Sequence, residues 1–205
     1  MIYNEDCLEA MKEMKDNQFD LAIVDPPYGI DIAKWDAIDM KPTKEYFIEL
    51  FRVSKNQIIW GANYFINNLY ENRSWICWDK YFVKMGYVNK ADDFELAWTS
   101  FKKKAKIIRY TSVGNTSGFD KNIKVDYSYK GKIHPTQKPV KLYEWLLMNY
   151  AKEGDTILDT HLGSGSIAIA CHNLGYDLTG YEIDKDYYEA AVKRIEQHKA
   201  QIRLF

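Results

Sequence analysis

The sequence predicts an α/β fold, in which a mainly parallel β-sheet is covered by helices on both faces. Short apolar segments of strand length alternate along the chain with amphipathic segments of helical period, a pattern typical of such sheets. Two of the apolar segments run directly into motifs of acidic residues with glycines or prolines, as the ligand-binding edges of these sheets do. The length of 205 residues suits one compact domain.

In the first half of the chain, strands are predicted near residues 2, 22, 58, 76 and 97, and helices over 7–15, 43–53 and 64–70. The strand near residue 22 is the apolar run DLAIV. The first helix carries Leu8, Met11 and Met14 at helical spacing. The second begins at Thr43, a residue type that caps helix N-termini. The strands near residues 76 and 97 are candidates for an antiparallel pair.

In the second half, strands are predicted near residues 157 and 179, and helices over 140–151, from Gly165 to about 174, and over 186–199. Gly175 suits the C-cap of the helix that it follows. Residues 110–133 contain three glycines among Ser, Thr and Asn, which predicts a long functional loop. Seven strands are therefore expected in total.

The cysteines Cys7, Cys77 and Cys171 lie far apart in the sequence, without the spacing of metal ligands, so no metal site is predicted. Their odd number indicates reduced thiols rather than a disulfide framework. No apolar run resembles a signal peptide or a membrane span. We therefore expect a cytoplasmic protein without a membrane partner.

Positive charge is concentrated between Lys102 and Lys141, where eleven Lys and Arg face two Asp, although the whole chain carries a net charge of -1. A basic segment on an acidic body is typical of a site for a polyanion. A solvated Lys-rich loop is the alternative. If the segment binds DNA, replacing Lys102, Lys103 and Lys104 should weaken binding and flatten its salt dependence.

A first candidate site follows the strand near residue 157, where Asp159 precedes Gly163-Ser164-Gly165 and a helix. Glycines at a helix N-terminus let the backbone approach a ligand closely. Glu182 stands 23 positions after Asp159, at the end of the next strand, where an acid accepts hydrogen bonds from ribose hydroxyls. The loop lacks both a dinucleotide fingerprint and a phosphate-binding Lys, which favours a nucleoside cofactor without phosphates.

A second candidate site, Asp25-Pro26-Pro27-Tyr28, ends the strand near residue 22. The prolines fix the backbone, so that a carboxylate, carbonyl oxygens and an aromatic ring are held rigidly at the sheet edge. Asp25 and the Pro26 carbonyl are suited to accept the two hydrogens of a planar amine and to stabilise the positive charge that forms when it is alkylated. Tyr28 is suited to stack on the ring that carries the amine.

A third motif, His134-Pro135-Thr136-Gln137-Lys138-Pro139, leads into a predicted helix. Lys138 offers a cation for a carboxylate, such as the one on the methionine part of a cofactor. His134 is expected to make structural hydrogen bonds and receives no catalytic role.

Together these motifs resemble those of the amino-methyltransferases of DNA, in particular the circularly permuted beta group. In that family the Asp-Pro-Pro-Tyr motif comes first, and the His-Pro-Thr-Gln-Lys-Pro and cofactor-binding glycine motifs come last, as Asp25, His134 and Gly163 do here. The segment Asn4–Leu8 is similar to the family's N-terminal segment near the cofactor's adenine. Where the family commonly has Phe, this chain has His161 or Leu162.

The resemblance implies a Rossmann-like, seven-stranded, mainly parallel sheet with one antiparallel strand. It implies S-adenosylmethionine as cofactor, double-stranded DNA as partner and adenine N6 as the methylated atom, since Asp rather than Ser opens the Pro-Pro-Tyr motif. The implied residues for the target base are Asp25, Pro26, Pro27 and Tyr28. The implied residues for the cofactor are Asp6, Cys7, Lys138, Asp159, Gly163, Ser164, Gly165 and Glu182.

The expected organisation is a single methyltransferase domain over 1–205 with a short DNA-facing insert around 102–133. Only 80–133 is available for target recognition, so we expect a short target site or a homodimer that completes it. A restriction nuclease partner would fit the restriction-modification role common in the family. The alternatives are methylation of cytosine N4, RNA or a protein amide, and a non-catalytic DNA-binding module that keeps the fold.

Overall fold

The computed structural model describes residues 1–31, 36–80, 92–113, 116–118, 133 and 137–201. The strands are β1 (Ile2–Tyr3), β2 (Leu21–Val24), β3 (Gln57–Trp60), β4 (Trp75–Asp79), β5 (Phe94–Thr99), β6 (Lys106–Arg109), β7 (Thr111–Val113), β8 (Thr116–Gly118), β9 (Thr156–Asp159) and β10 (Asp177–Tyr181). The α-helices are α1 (Cys7–Lys12), α2 (Lys44–Val53), α3 (Val140–Tyr150), α4 (Ser166–Leu174) and α5 (Lys185–Lys199).

The main sheet has the strand order β1-β10-β9-β2-β3-β5-β4-β6. Strand β5 is antiparallel to both of its neighbours, and the other described pairings in this sheet are parallel. The prediction of a mainly parallel sheet with one antiparallel strand is therefore confirmed, as is the antiparallel pairing of β4 with β5. Because β5 runs against the rest, it begins at the edge where the parallel strands end.

All seven predicted strands are present, and β6 adds an eighth at the edge of the sheet beside β4. Its residues are mostly exposed, with Ile108 buried, so the short apolar signal is hidden in the Lys-rich run before it. The long loop predicted over 110–133 is wrong for its first part, because β7 and β8 pair there as a small antiparallel ladder. The remainder of that stretch, apart from residue 133, lies outside the described residues.

The helices follow the predicted order with small shifts at their ends. Thr43 caps α2 by accepting a hydrogen bond from the Tyr46 N–H, and Gly175 ends α4 in the left-handed conformation. The helix predicted over 64–70 is replaced by single 3₁₀ turns at Ala62–Tyr64 and Ile66–Asn68, since Asn favours turns over helix interiors. Among the described residues, no helix combines the length and apolarity needed to cross a membrane.

Both faces of the sheet are buried, and β2 shows how. Leu21 and Ile23 point into a cluster with residues of α3, α4 and α5, while Ala22 and Val24 point into a second cluster with residues of α1 and α2. Every residue of this strand is buried, which explains why its sequence is continuously apolar rather than alternating. The predicted cover of helices on both faces is confirmed.

The two central strands, β2 and β9, are parallel neighbours, with Leu21 opposite Ile157. From β2 the chain passes through α2 to β3 on one side, and from β9 it passes through α4 to β10 on the other. The connections therefore diverge above the carboxyl ends of these two strands, which opens a crevice there. The motifs at Asp25 and Gly163 both begin at this point.

Candidate active site

A cleft of about 1390 Å³ opens at the carboxyl ends of β2 and β9. Its wall includes these predicted site residues: Asp6, Cys7, Asp25, Pro26, Pro27, Tyr28, Lys138, Gly163, Ser164 and Glu182. Asp159 and Gly165 lie beneath it and shape the turn instead of lining the wall. Sequence positions more than 150 residues apart therefore form one site.

The turn after β2 is fixed by a buried carboxylate that the sequence reading missed. Asp36 is fully buried and accepts hydrogen bonds from the backbone N–H groups of Tyr28, Gly29 and Ile30 at 2.5, 3.0 and 3.2 Å. Ionised acceptors make such bonds short and strong. The turn is thus held from both ends, by its prolines and by Asp36, and the Asp25 and Tyr28 side chains are set in place relative to each other.

Asp25 is engaged at both of its oxygens. The Tyr28 hydroxyl donates to Oδ1 at 2.7 Å, and the Lys138 ammonium approaches Oδ2 at 2.5 Å. Burial, and after it the charge of Asp25, raises the pKa of Tyr28 well above its usual value, so this phenol remains a donor. Each carboxylate oxygen retains a further lone pair, which leaves acceptor capacity for a ligand amine.

The Tyr28 ring lies against the end of β3. Gly61 has φ +64°, and a Cβ atom there would lie 2.0 Å from Tyr28 Cε1, so only glycine fits beneath the ring. Tyr64 stacks on Tyr28 with 5.0 Å between ring centroids and 16° between planes. Tyr64 was not predicted as a site residue, although a glycine at a strand end followed closely by an aromatic residue is a usable signal.

Lys138 lies between two carboxylates, which differs from the position beside a cofactor carboxylate that the motif suggested. Its ammonium is 2.5 Å from Asp25 and 2.9 Å from Glu95 Oε2, and it lies 5.3 Å from the Trp60 ring centroid. Burial alone would lower the pKa of Lys138, but the two carboxylates raise it above its ordinary value. Residues 134–136 of the same motif lie outside the described residues.

The other half of the cleft is built on the turn between β9 and α4. Glu182, at the end of β10, accepts hydrogen bonds from the N–H of Gly163 at 2.8 Å and of Asp184 at 3.0 Å. Gly165 has φ +72°, and a Cβ atom there would lie 2.9 Å from Ile195 Cδ1, which explains the second glycine of the turn. Burial raises the pKa of Glu182 above its usual value.

Asp159 is buried under this turn and accepts a hydrogen bond from the His161 N–H at 3.0 Å. Burial, which this one bond does not offset, raises the pKa of Asp159 to about 8. His161 lines the cleft, and burial lowers its pKa to about 4, so its imidazole is neutral near pH 7. Thr160 bridges the His161 ring to the Tyr46 hydroxyl, at 2.9 and 2.7 Å.

The N-terminal segment joins the half of the cleft built on the turn after β9, because β1 pairs with β10. The Asn4 side chain donates to the carbonyl oxygens of Glu182 and Ile183, and Asp6 caps α1 by accepting from the Leu8 N–H. Burial raises the pKa of Cys7 to about 12, so this thiol is protonated and is not a nucleophile.

Glu95 and Lys80 also line the cleft and were not predicted. Glu95 is the second residue of β5, and an acid inside an apolar strand sequence is the signal that was available. Among the described residues, no group of three or more His, Cys, Asp or Glu is placed to hold a metal ion.

The basic segment divides between the two edges of the sheet. Arg109, at the carboxyl end of β6, pairs with Asp79 at 2.8 Å on the cleft edge. Lys103 instead donates to the Asn149 carbonyl oxygen near the end of α3 and lies 4.6 Å from the Tyr150 ring centroid. Because Lys102, Lys103 and Lys104 precede β6, they lie at the amino edge, opposite the cleft. Lys121, Lys124, Lys130 and Lys132 lie outside the described residues.

Known DNA methyltransferases are similar to this chain in sequence or in fold. The type II methyltransferase M.HpaI of Haemophilus parainfluenzae is 30% identical over 228 positions, which cover 92% of this chain and 72% of that protein. The solved complex of M1.HpyAVI with SAM has a TM-score of 0.64 at 24% identity and covers 95% of this chain and 98% of that one. The cytosine-N4-specific PvuII DNA methyltransferase has a TM-score of 0.64 at 14% identity, covering 97% and 89%.

The two solved structures share the fold of this chain. Its family is shown by its sequence. The family model described as DNA methylase, which joins the N6 and N4 enzymes, matches residues 56–193. That range holds the third motif, the glycine turn and Glu182, while Asp25 precedes it. The chain therefore belongs to the N6/N4 DNA methylase family.

Proposed function

We propose that this DNA methyltransferase transfers a methyl group from S-adenosylmethionine to N6 of an adenine that has been flipped out of duplex DNA. The observation that carries the proposal is the shared cleft, which joins Asp25 and the stacked rings of Tyr28 and Tyr64 to the Gly163 turn and Glu182. A polar acceptor with an aromatic platform on one side and a nucleoside-binding turn on the other is what methyl transfer to a planar amine requires.

The residues of the second half fit S-adenosylmethionine. Glu182 faces the cleft with acceptor capacity for ribose hydroxyls, and Gly163 and Ser164 line the turn beside it. Gln137 Nε2 is buried in the cleft wall and has no hydrogen-bond partner within the described ranges, so a ligand acceptor would satisfy it. The structurally similar M1.HpyAVI was solved with SAM, which supports the same cofactor here.

When bound, S-adenosylmethionine supplies a methyl carbon on a sulfonium sulfur, so that the target nitrogen forms the new bond while the carbon–sulfur electron pair stays on sulfur. Asp25 and the Pro26 carbonyl accept the two amine hydrogens, which directs the nitrogen lone pair toward the methyl group. The Asp25 carboxylate stabilises the positive charge on nitrogen as it forms, and the nitrogen then releases one proton to Asp25 or to water.

The proposal gives the base two aromatic rings, Tyr28 and Tyr64, rather than the single ring predicted. Unstacking a base from a duplex costs a few kcal/mol, and stacking in an aromatic pocket offsets part of that cost. Tyr28 and Tyr64 both line the cleft and stack on each other, so together they form a two-ring platform beside Asp25 on which a base could stack. Lys138 is assigned to the half of the cleft around Asp25, because its ammonium contacts Asp25.

Adenine is favoured over cytosine because an Asp opens the Pro-Pro-Tyr motif at position 25. Cytosine N4 is the second candidate, supported by the fold likeness to the cytosine-N4-specific PvuII enzyme. RNA methylation and a non-catalytic DNA-binding role have no observation of their own in their favour. We further propose a single catalytic domain over 1–205, in which the insert around 102–133 contributes DNA contacts beyond its first residues, Lys102 to Lys104, which lie at the opposite edge of the sheet. A homodimer and a nuclease partner stay predictions.

The test is to incubate the protein with duplex DNA and S-adenosylmethionine carrying a deuterated methyl group, then digest the DNA to nucleosides for mass spectrometry. We expect labelled N6-methyladenine. Labelled N4-methylcytosine without N6-methyladenine would overturn the adenine assignment. Cofactor binding in a thermal-shift assay with no labelled nucleoside from any DNA would support the non-catalytic role instead.

A further inference from the structure

Four charged side chains of alternating sign form a row along the wall of the cleft. Lys80 Nζ lies 2.7 Å from Glu95 Oε1, Lys138 Nζ lies 2.9 Å from Glu95 Oε2, and Lys138 Nζ also lies 2.5 Å from Asp25 Oδ2. The row runs Lys80, Glu95, Lys138, Asp25 and carries no net charge. Its last member is the carboxylate proposed to accept the target amine.

The row is shielded from solvent, so its charges act on each other at short range. The side chains of Lys138 and Lys80 are 2% and 12% exposed, and those of Glu95 and Asp25 are 18% and 20% exposed. Burial alone would raise the pKa of Glu95, but the ammonium groups of Lys138 and Lys80 lower it to about 2. Glu95 is therefore an anion at every pH at which the protein would work.

Glu95 reaches the row because of the single antiparallel strand. It stands second in β5, opposite Trp78 of β4, and the first residues of β5 lie at the edge where the parallel strands end. The Lys80 backbone N–H, just after β4, donates to the Asp93 carbonyl oxygen and ties the two strand ends together. Glu95 thus lies within a strand, and Asp25 and Lys80 directly follow strands. Three of the four members are therefore anchored by the sheet, which holds side chains more rigidly than loops do, while Lys138 lies shortly before α3.

We propose that Glu95 is a positioning residue for methyl transfer, which holds the Lys138 ammonium against Asp25 and balances the charge beside the target amine. The inference rests on the proposed role of Asp25. During the reaction positive charge forms on the amine nitrogen next to this row. With Glu95 ionised, the row is neutral and Asp25 meets that charge without opposition. Without it, two ammonium groups face one carboxylate and oppose the developing charge.

The test compares Glu95→Gln with a variant of matched charge change, Asp93→Asn, which lies two residues away, is exposed and does not line the cleft. We expect E95Q to lower kcat by about 10- to 100-fold while the KM for S-adenosylmethionine changes less than about twofold. We expect D93N to match the unaltered protein. The kcat of E95Q should rise with pH, because loss of a proton from Lys138 restores a neutral row.

A second variant separates charge balance from structure. The double variant K80M/E95Q removes one charge of each sign, and we expect it to recover at least about tenfold of the kcat lost in E95Q. Retained kcat in E95Q, or a double variant no faster than E95Q with both folded, would overturn the proposal. If E95Q does not fold, K80M/E95Q is compared with K80M alone. A wild-type kcat in K80M with a lost kcat in K80M/E95Q would show that Glu95 has a structural role only.

These outcomes are separate from failure of the proposed function. If the unaltered protein forms no labelled nucleoside, the function itself is wrong. If the unaltered protein methylates DNA and E95Q equals it across pH, only the role of Glu95 is wrong.

Discussion

In the half of the cleft that follows β9, the glycine turn donates the Gly163 N–H to Glu182. In the half that follows β2, side chains from distant segments meet around Asp25 instead. The electrostatics differ in the same way. Glu95 in the target-base half is held by two ammonium groups that lower its pKa to about 2. Asp159, in the half proposed for the cofactor, accepts one backbone N–H among the described residues, and burial raises its pKa to about 8.

This difference shows two ways of placing charge in a buried site. The half proposed for the cofactor would bind a ligand that brings its own charges, and its groups are local and largely uncompensated. The half proposed for the target base would meet a charge that appears only during the reaction, and its charged groups are balanced and fixed by ion pairs. Preorganised charge of this kind needs no rearrangement at the moment of transfer.

The largest effect is expected at Asp25. Replacing it with Ala removes the amine acceptor and leaves Lys138 with one carboxylate, so kcat should fall by at least about 100-fold, as for loss of a key transition-state hydrogen bond. The dissociation constant of S-adenosylmethionine should stay within about twofold, because Glu182 and the Gly163 turn are untouched. Labelled methyl transfer and calorimetric titration measure the two quantities, and full turnover in D25A would remove Asp25 from the mechanism.

Stability against pH tests the uncompensated carboxylate. The pKa of Asp159 is about 8 in the folded chain and ordinary, near 3.8, in the unfolded one, so the folded state holds a proton that the unfolded state releases. The contribution of protonated Asp159 to the free energy of unfolding is therefore complete below about pH 4. It is lost as the pH rises through 8. Each unit of displacement corresponds to about 1.4 kcal/mol, which amounts to a few kcal/mol over the whole interval.

Asp159→Asn keeps a neutral acceptor for the His161 N–H and removes this dependence. The difference in unfolding free energy between D159N and the unaltered protein should grow in favour of D159N between pH 4 and pH 8. Taking the difference cancels the opposite contribution of His161, whose lowered pKa costs stability as the pH falls from 6.5 toward 4. Parallel denaturation curves for the two proteins across pH would show that Asp159 is ionised when folded.

A smaller effect is expected at Glu182. Replacing it with Gln keeps the shape but weakens the acceptor for ribose hydroxyls, so the dissociation constant of S-adenosylmethionine should rise by about tenfold. The kcat at saturating cofactor should stay within about twofold, the reverse of the result for D25A. A fall in kcat with unchanged binding would show that the two halves are not separable in the way their construction indicates.

Much of the fold follows from the sequence because its signals are local. The run DLAIV is apolar throughout since β2 is buried on both faces, and the glycine turn with Glu182 falls within one strand–helix–strand unit. Strand β6 was not predicted, because an edge strand buries little and its residues resemble the charged run before them. The helix predicted over 64–70 failed because Asn favours turns over continuing a helix.

The half of the cleft around Asp25 was predictable only in part, because its residues come from distant segments. Asp25 and Tyr28 share a motif of four residues, but Tyr64, Lys80 and Glu95 reach them only through strand order. From the sequence, the Lys138 ammonium was expected to bind a cofactor carboxylate. In the fold it instead pairs with Glu95, which the antiparallel course of β5 brings beside it. Pairing between strands far apart in the sequence leaves no local pattern.

The smallest effect is expected from the basic run that first suggested DNA. The sequence favours Lys102, Lys103 and Lys104 as DNA contacts, but they lie at the amino edge of the sheet, where Lys103 packs on Tyr150. Replacing all three with Ala should therefore change kcat/KM for DNA less than about twofold and leave the slope of log K against log salt unchanged. A slope reduced by two or more would mean that DNA reaches this edge, so the recognition surface would extend beyond the cleft that divides into the two halves.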